Sequence, residues 1–221
     1  MHDRRVHAVV FDMDGTLLDS LPVVLECYRK TVIELRGQSL TVDEVLSSFA
    51  IGPAAVMLAA LIGRPVGAEA VARYEDHLRG ALDGVAPYAG IAETVATLAR
   101  TLPLGVFTAA DTSAAEILLG ASGLRDAIGP VVGGDRASRP KPASDGLLAV
   151  CAMLGLPSTS VAYVGDGPSD VHVARSCGAL AVAAGWGHQF REDRDSDVIV
   201  RSPVELLDLF GVPHTASRNA R

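Results

Sequence analysis

Asp12 and Asp14 lie two residues apart, just beyond the apolar, β-branched run Val6 to Phe11, and are followed by Gly15-Thr16. Carboxylates leaving a strand end project into the crevice where open α/β sheets bind their ligands. Gly15 lets the chain turn sharply, and the Thr16 hydroxyl can cap that turn or bind. An isolated DxD reads as a loop of Asx turns; the strand before this one and the Gly-Thr after it favour a site. Val161 to Val164 ends in the same manner, in Gly165-Asp166-Gly167-Pro168-Ser169-Asp170. Asp170, at a helix start, is also explained as a cap stabilised by the helix dipole. Asp166 is harder to assign to a purely structural role. Several carboxylates gathered at one sheet edge repel each other unless a cation or a proton intervenes. Oxygen ligands with no suitable His or Cys nearby point to Mg²⁺ rather than zinc.

Two further residues suit an anion. The chain has two lysines, Lys30 and Lys141, among 19 basic residues, so a lysine in Arg139-Pro140-Lys141-Pro142 is unusual for this composition. A compact ammonium on a flexible stem fits a place where one charge must meet phosphate and carboxylate together; a solvated loop lysine is the plainer reading. Thr108 closes the run Leu104 to Phe107, where its hydroxyl could bind a phosphate oxygen, although threonine is common in strands anyway.

The elements that must position these groups follow from the apolar pattern. Val6 to Phe11, Leu104 to Phe107, Val161 to Val164 and Leu180 to Ala183 read as buried strands, with weaker ones at Val131-Val132 and Val198 to Val200. Ser113-Ala-Ala-Glu116 and Ser202-Pro-Val-Glu205 carry capping-box signatures for intervening helices. Strands alternating with helices predict a Rossmann-like α/β core with a parallel sheet covered on both faces. The stretch from Leu21 to Val85 breaks the rhythm. It holds helical patterns near Pro22 to Arg36, Thr41 to Phe49 (with the capping box Thr41-Val-Asp-Glu44), Pro53 to Ile62 and Ala68 to Leu82. The expected organisation is therefore a core of residues 1–19 and 86–210, an inserted helical domain of residues 20–85, and a flexible tail of residues 211–221. Hinges are expected near Asp19-Ser20 and Asp83 to Pro87, where turn formers gather.

Composition bounds the partners. A chain of 221 residues, 49% hydrophobic with net charge −7, can bury a real core. It has no basic cluster with which to neutralise nucleic-acid phosphates. Small phosphorylated molecules stay open to it, because a bound divalent cation reverses the local field. Cys27, Cys151 and Cys177 are odd in number and form no CxxC pair, which reads as reduced and intracellular. The N-terminus has no signal-peptide pattern. Val45 to Gly63 runs 19 residues without a charge, long enough to span a bilayer, but Gly52-Pro53 divides it into two short buried helices. A cytoplasmic protein without membrane contact is expected.

In order, these elements resemble the four motifs of the haloacid dehalogenase superfamily, and the likeness covers nearly the whole chain. Asp12-x-Asp14-Gly15-Thr16 resembles motif one, Thr108 motif two, Lys141 motif three and Gly165-Asp166-x-x-x-Asp170 motif four. The insertion looks like the small helical cap of the subfamily containing phosphoglycolate phosphatase and β-phosphoglucomutase. Phe11 to Ser20 and Pro87-Tyr88-Ala89-Gly90 are particularly similar to phosphoglycolate-phosphatase-type sequences. The resemblance implies an Mg²⁺-dependent phosphatase of a small phosphorylated metabolite, with Asp12 attacking phosphorus to give an aspartyl-phosphate. Asp14 would protonate the leaving oxygen and then take a proton from water. Mg²⁺ would be held by Asp12, the Asp14 backbone carbonyl and Asp166, with Asp170 in support. Thr108 and Lys141 would hold the phosphoryl oxygens, and Thr16 joins them as a candidate phosphate contact.

An acid at position 14 disfavours the dehalogenase and phosphonoacetaldehyde-hydrolase branches, whose chemistry does not need it. The departure is at motif two, where relatives usually carry Asn and this chain has Ala109; its backbone N–H is left as the candidate phosphate contact. The alternatives are a sugar phosphomutase of the β-phosphoglucomutase kind and a catalytically slow binding protein that kept the fold. Plainer readings apply elsewhere. His77, His172 and His188 lack metal-ligand spacing. Arg64, Arg73 and Arg79 in the cap could meet a substrate carboxylate but read better as solvated helix faces. Trp186 reads as packing beside motif four, and Asp111 as a helix cap.

Overall fold

The apolar runs become strands at each of the six expected places. In the computed structural model, which describes residues 5–48, 51–192 and 195–214, β1 (Ala8–Phe11) leads through a short β2 (Leu18–Asp19) into four helices. These are α1 (Leu21–Arg36), α2 (Val42–Ser47), α3 (Ala54–Ile62) and α4 (Ala68–Arg79). The chain returns through β3 (Ala86–Pro87) to α5 (Ile91–Leu98), β4 (Leu104–Phe107), α6 (Thr112–Ala121), β5 (Val131–Val132) and α7 (Asp145–Leu154). It finishes with β6 (Val161–Gly165), α8 (Pro168–Ser176), β7 (Leu180–Ala184), β8 (Val198–Val200) and α9 (Glu205–Leu209).

Six strands form a sheet in the order β5-β4-β1-β6-β7-β8, every pairing parallel. Alternate residues of each strand feed opposite faces. Val9 and Phe11 join Val106, Val164 and Val182 under α5, α6 and α9, while Val10 joins Tyr163 and Ala181 under α7 and α8. Helices on both faces explain why β1, β4 and β6 are apolar throughout. The order reverses at β1, which lies between β4 and β6, so the carboxyl ends of these three strands share one crevice. This is the Rossmann-like parallel core read from the sequence.

Helices α1 to α4 stack on one another, and their buried residues belong to the same apolar cluster as one face of the sheet. Thr41 caps α2 with the capping box read from its sequence; Phe49, the expected end of that helix, lies outside the described residues, as do residues 215–221 of the expected tail. Between helices and sheet the chain crosses twice, through β2 and β3, which pair antiparallel as a two-stranded ribbon. These strands are too short to show a period in the sequence, and turn formers were all that marked them.

Three local expectations change. The helix expected to reach Leu82 ends at Arg79 and is followed by a single 3₁₀ turn. Ser113 does not cap α6, because the helix starts earlier, with Asp111 at its N-cap position; the Ser113 hydroxyl instead donates to Glu75 of α4. Asp111 does not cap its own helix either. Its carboxylate accepts the Ala54 N–H of α3 at 2.6 Å, and Asp135 takes the Thr112 N–H at 2.7 Å in its place.

Candidate active site

The topology brings residues distant in sequence to a single sheet edge. Asp12 follows β1 directly, its N–H bonded to the Val164 carbonyl of β6 at 2.8 Å, so Asp12 and Asp166 leave neighbouring strands side by side. Thr108 follows β4, its N–H bonded to Val132 at 3.1 Å. Gly15 makes the turn after β1 at φ +83°, a left-handed conformation that favours glycine. A Cβ there would fall 2.5 Å from Asp166 Oδ2. That close approach lets the two acidic loops meet.

Asp12, Asp166 and Asp170 are buried, and one carboxylate oxygen of each lies within 4.8 Å of the others. Lys141 Nζ sits among them, 2.6 Å from Asp12 Oδ1 and 2.8 Å from Asp170 Oδ1. The faces of Phe107 and Tyr163 flank the ammonium, with centroids at 5.0 and 5.3 Å. Tyr163 donates its hydroxyl to the Phe107 carbonyl at 2.8 Å and lies 3.3 Å from Asp170 Oδ1. Asp170 Oδ2 accepts the Gly167 N–H at 2.9 Å, closing the first turn of α8, so this acid is both helix cap and cluster member. Asp166 Oδ2 accepts the Gln189 N–H at 2.8 Å, while its Oδ1 is buried with no hydrogen-bond partner among the described residues.

The field follows from this packing. Burial, partly offset by Lys141, pushes the Asp12 carboxyl well above its ordinary range, and its acidic neighbours push the same way. Burial likewise raises Asp166, to about 6. For Lys141, burial disfavours the ammonium, but Asp12 and Asp170 together outweigh that and its pKa rises. Burial also raises Asp14, against the Ser20 hydroxyl that donates to Oδ1 and favours the charged form. The Asp14 carboxylate is not part of the three-acid cluster; it faces the same cavity.

The cavity holds about 90 Å³ and is lined on the sheet side by Asp12, Asp14, Thr108, Ala109, Lys141 and Asp170. Six of the eight residues singled out in the sequence therefore meet at one surface, with Asp166 directly behind it. Thr16 does not line the cavity: it is fully buried, its hydroxyl without a hydrogen-bond partner among the described residues, and its carbonyl accepts the Trp186 indole N–H at 2.9 Å. Trp186, read from the sequence as packing beside motif four, is bonded to the first loop. The Thr108 hydroxyl accepts the Ala110 N–H at 3.2 Å. Sequence reasoning missed Ser169 and Gln189, also in the lining, and the helical wall of Val24, Tyr28, Met57 and Tyr74. Ser169 stands inside motif four and could have been suspected; the others carry no local signal.

An acid cluster with one buried, unbonded oxygen and an all-oxygen donor set fits a hard divalent cation. A lysine bridging two acids at the crevice of a parallel sheet adds an anion-holding charge. The sequence pattern of the haloacid dehalogenase-like hydrolases matches residues 9–184. The chain belongs to that family. Within it the chain is a phosphatase, similar over 95% of its length to the phosphoglycolate phosphatase of Chromobacterium violaceum (32% identical, 98% of that protein). Over the same share it is 31% identical to the N-acetylmuramic acid 6-phosphate phosphatase of Pseudomonas aeruginosa, covering 96% of it. The fold matches CbbY from Rhodobacter sphaeroides, solved with phosphate, at a TM-score of 0.79 and 19% identity over 91% of this chain and 96% of that one.

Proposed function

We propose that the chain is an Mg²⁺-dependent phosphatase of a small phosphorylated metabolite, acting through an aspartyl-phosphate on Asp12. The observation that carries this reading is the Lys141 ammonium held between Asp12 and Asp170, beside a third acid with an unbonded buried oxygen. Asp12, the Asp14 backbone carbonyl and Asp166 would hold the cation, with Asp170 in support. When bound, Mg²⁺ neutralises charge on the phosphoryl oxygens and on the acids around them.

Asp12 attacks phosphorus in line; the Asp12 oxygen–phosphorus bond forms as the ester bond breaks. The departing oxygen takes its proton from Asp14, whose burial keeps that proton available above the ordinary carboxylate range. In the second half-reaction Asp14 accepts a proton from water, the water oxygen bonds phosphorus, and the bond to Asp12 breaks. Lys141 and the Thr108 hydroxyl hold the equatorial oxygens, and the Ala109 N–H takes the place of the amide usual at that position. Residues 20–85 act as a cap that closes over the leaving group and excludes water, while residues 1–19 and 86–210 carry the chemistry. Net charge −7 and three free cysteines favour a cytoplasmic enzyme of small phosphoesters rather than one of nucleic acid.

The test is release of inorganic phosphate across a panel of phosphomonoesters, with Mg²⁺ and with a chelator. Metal-dependent release is expected. A folded protein that frees no phosphate from any ester would overturn the reading, and isomerisation of a sugar phosphate without release would replace it with a mutase.

A further inference from the structure

Resting on that phosphatase reading, we infer that the natural leaving group is a compact, uncharged alcohol presenting an apolar or aromatic face, not one that carries a carboxylate. The cavity has two unlike walls. Opposite the acids stand Val24 and Tyr28 of α1, Met57 of α3 and Tyr74 of α4, with Leu118 of α6 beside them. Tyr28 and Tyr74 stack with centroids 4.3 Å apart and planes 21° apart. Both residues are buried in this stack, so what they offer a ligand is mainly ring surface.

Among the described residues no cation reaches this wall. Arg73 and His77 lie on Glu34, at 3.6 and 3.1 Å, and Arg79 pairs with Glu75 and Asp76. Arg36 donates to the Leu61 carbonyl at 3.2 Å, Arg29 pairs with Glu26, and Lys30 and Arg64 are exposed on the outside. Lys141 is committed to Asp12 and Asp170. A helix start could also receive a carboxylate, and α3 begins beside the cavity. Its first N–H, at Ala54, already holds Asp111 from the sheet side. A second carboxylate on the substrate would therefore meet this wall with no cation to pair it, across the cavity from Asp12, Asp14 and Asp170, and an unpaired buried charge is among the costliest groups to place. An uncharged group meets apolar side chains and two aromatic faces.

The experiment compares kcat/KM of the full chain with Mg²⁺ for three alkyl phosphates. These are 2-phosphoglycolate, 2-hydroxyethyl phosphate (the same skeleton with a hydroxyl for the carboxylate) and benzyl phosphate. Both neutral esters are expected to exceed 2-phosphoglycolate at least tenfold, with the difference mainly in KM. Equal or better turnover of 2-phosphoglycolate would overturn the inference and leave the phosphatase reading standing. Hydrolysis of none of the three, nor of any other phosphomonoester, would overturn the phosphatase reading and this inference with it. Met57→Lys, which places an ammonium on the apolar wall, is expected to shift the preference tenfold or more towards 2-phosphoglycolate. An unchanged ratio in the folded variant would count against the wall as the selector, and if that variant fails to fold, the wild-type comparison still decides.

Discussion

The two walls of the cavity are built by opposite strategies. On the sheet side, charged groups gather at the carboxyl edge of a parallel sheet whose register is fixed by buried backbone pairing, and each is held by a named hydrogen bond. On the helical side, apolar and aromatic groups from three helices are held mainly by packing. Chemistry that must align a nucleophile and an ammonium to a fraction of an ångström belongs on the rigid wall. Selection among leaving groups needs only shape and polarity, and that wall can be altered without disturbing the strands. Changes to the first wall should therefore cost turnover, and changes to the second mostly recognition.

The largest effect is expected from Asp12→Asn. The amide keeps the size of the carboxylate but cannot form the phosphoryl ester, so phosphate release should fall by about a thousandfold or more. Folding should persist, since Asp12 is buried mainly against Lys141 and its acidic neighbours. Full activity, measured with the melting temperature as a control, would remove Asp12 from the reaction. Lys141→Met comes next. It removes the charge shared by Asp12 and Asp170 while keeping an unbranched stem between Phe107 and Tyr163. Loss of one transition-state donor of this kind costs roughly a hundredfold to a thousandfold in kcat. A drop below tenfold would mean that Lys141 serves packing rather than the phosphoryl group.

The rigid wall was also the legible one. Acids after apolar strands, a glycine at the turn and a rare lysine are local signals, and Asp12, Asp14, Lys141, Asp166 and Asp170 could be picked out because their types conflict with ordinary core or loop roles. The sheet was legible for a similar reason, since runs such as Val161 to Val164 are too apolar for anything but a strand buried on both faces. The helical wall was not. Val24, Met57 and Leu118 look like any residues on the inner face of a helix, and Tyr28 and Tyr74 meet only after α1 and α4 pack. Asp111 and Ser113 misled for the converse reason. A capping residue is read as serving the helix that follows it, whereas both reach across to the helical insertion, where tertiary partners win over local ones.

A smaller effect tests the field at the rigid wall. Burial holds the Asp166 proton up to about 6 in the folded protein, against an ordinary value of 3.8. Between those limits Asp166 binds more protons in the native state than in the unfolded chain, so without metal its contribution to stability should fall as pH rises from about 4 to about 6 and then level off. Once the carboxylate is charged, a divalent cation relieves the repulsion. Added Mg²⁺ should therefore raise the melting temperature more at pH 7 than at pH 5. An equal shift at both values would show that Asp166 does not take part in holding the metal.

The smallest effect is expected where the walls are joined. The Asp111 carboxylate, from the loop after β4, accepts the first N–H of α3, and Ser113 reaches Glu75 of α4. Asp111 thus caps a helix of the opposite wall and ties that wall down over the acids, combining a capping bond with favourable charge at a helix start. In Asp111→Ala the Ala54 N–H loses its partner, which costs on the order of 1 kcal/mol. The penalty falls on the docked arrangement rather than on the acids or Lys141, so KM should rise about fivefold with kcat nearly unchanged. Asp111→Asn keeps an acceptor oxygen in place and should recover most of the loss. If instead kcat fell in both variants while KM held, Asp111 would belong with the chemistry of the first wall, and the division of labour between the two walls would fail at the contact that joins them.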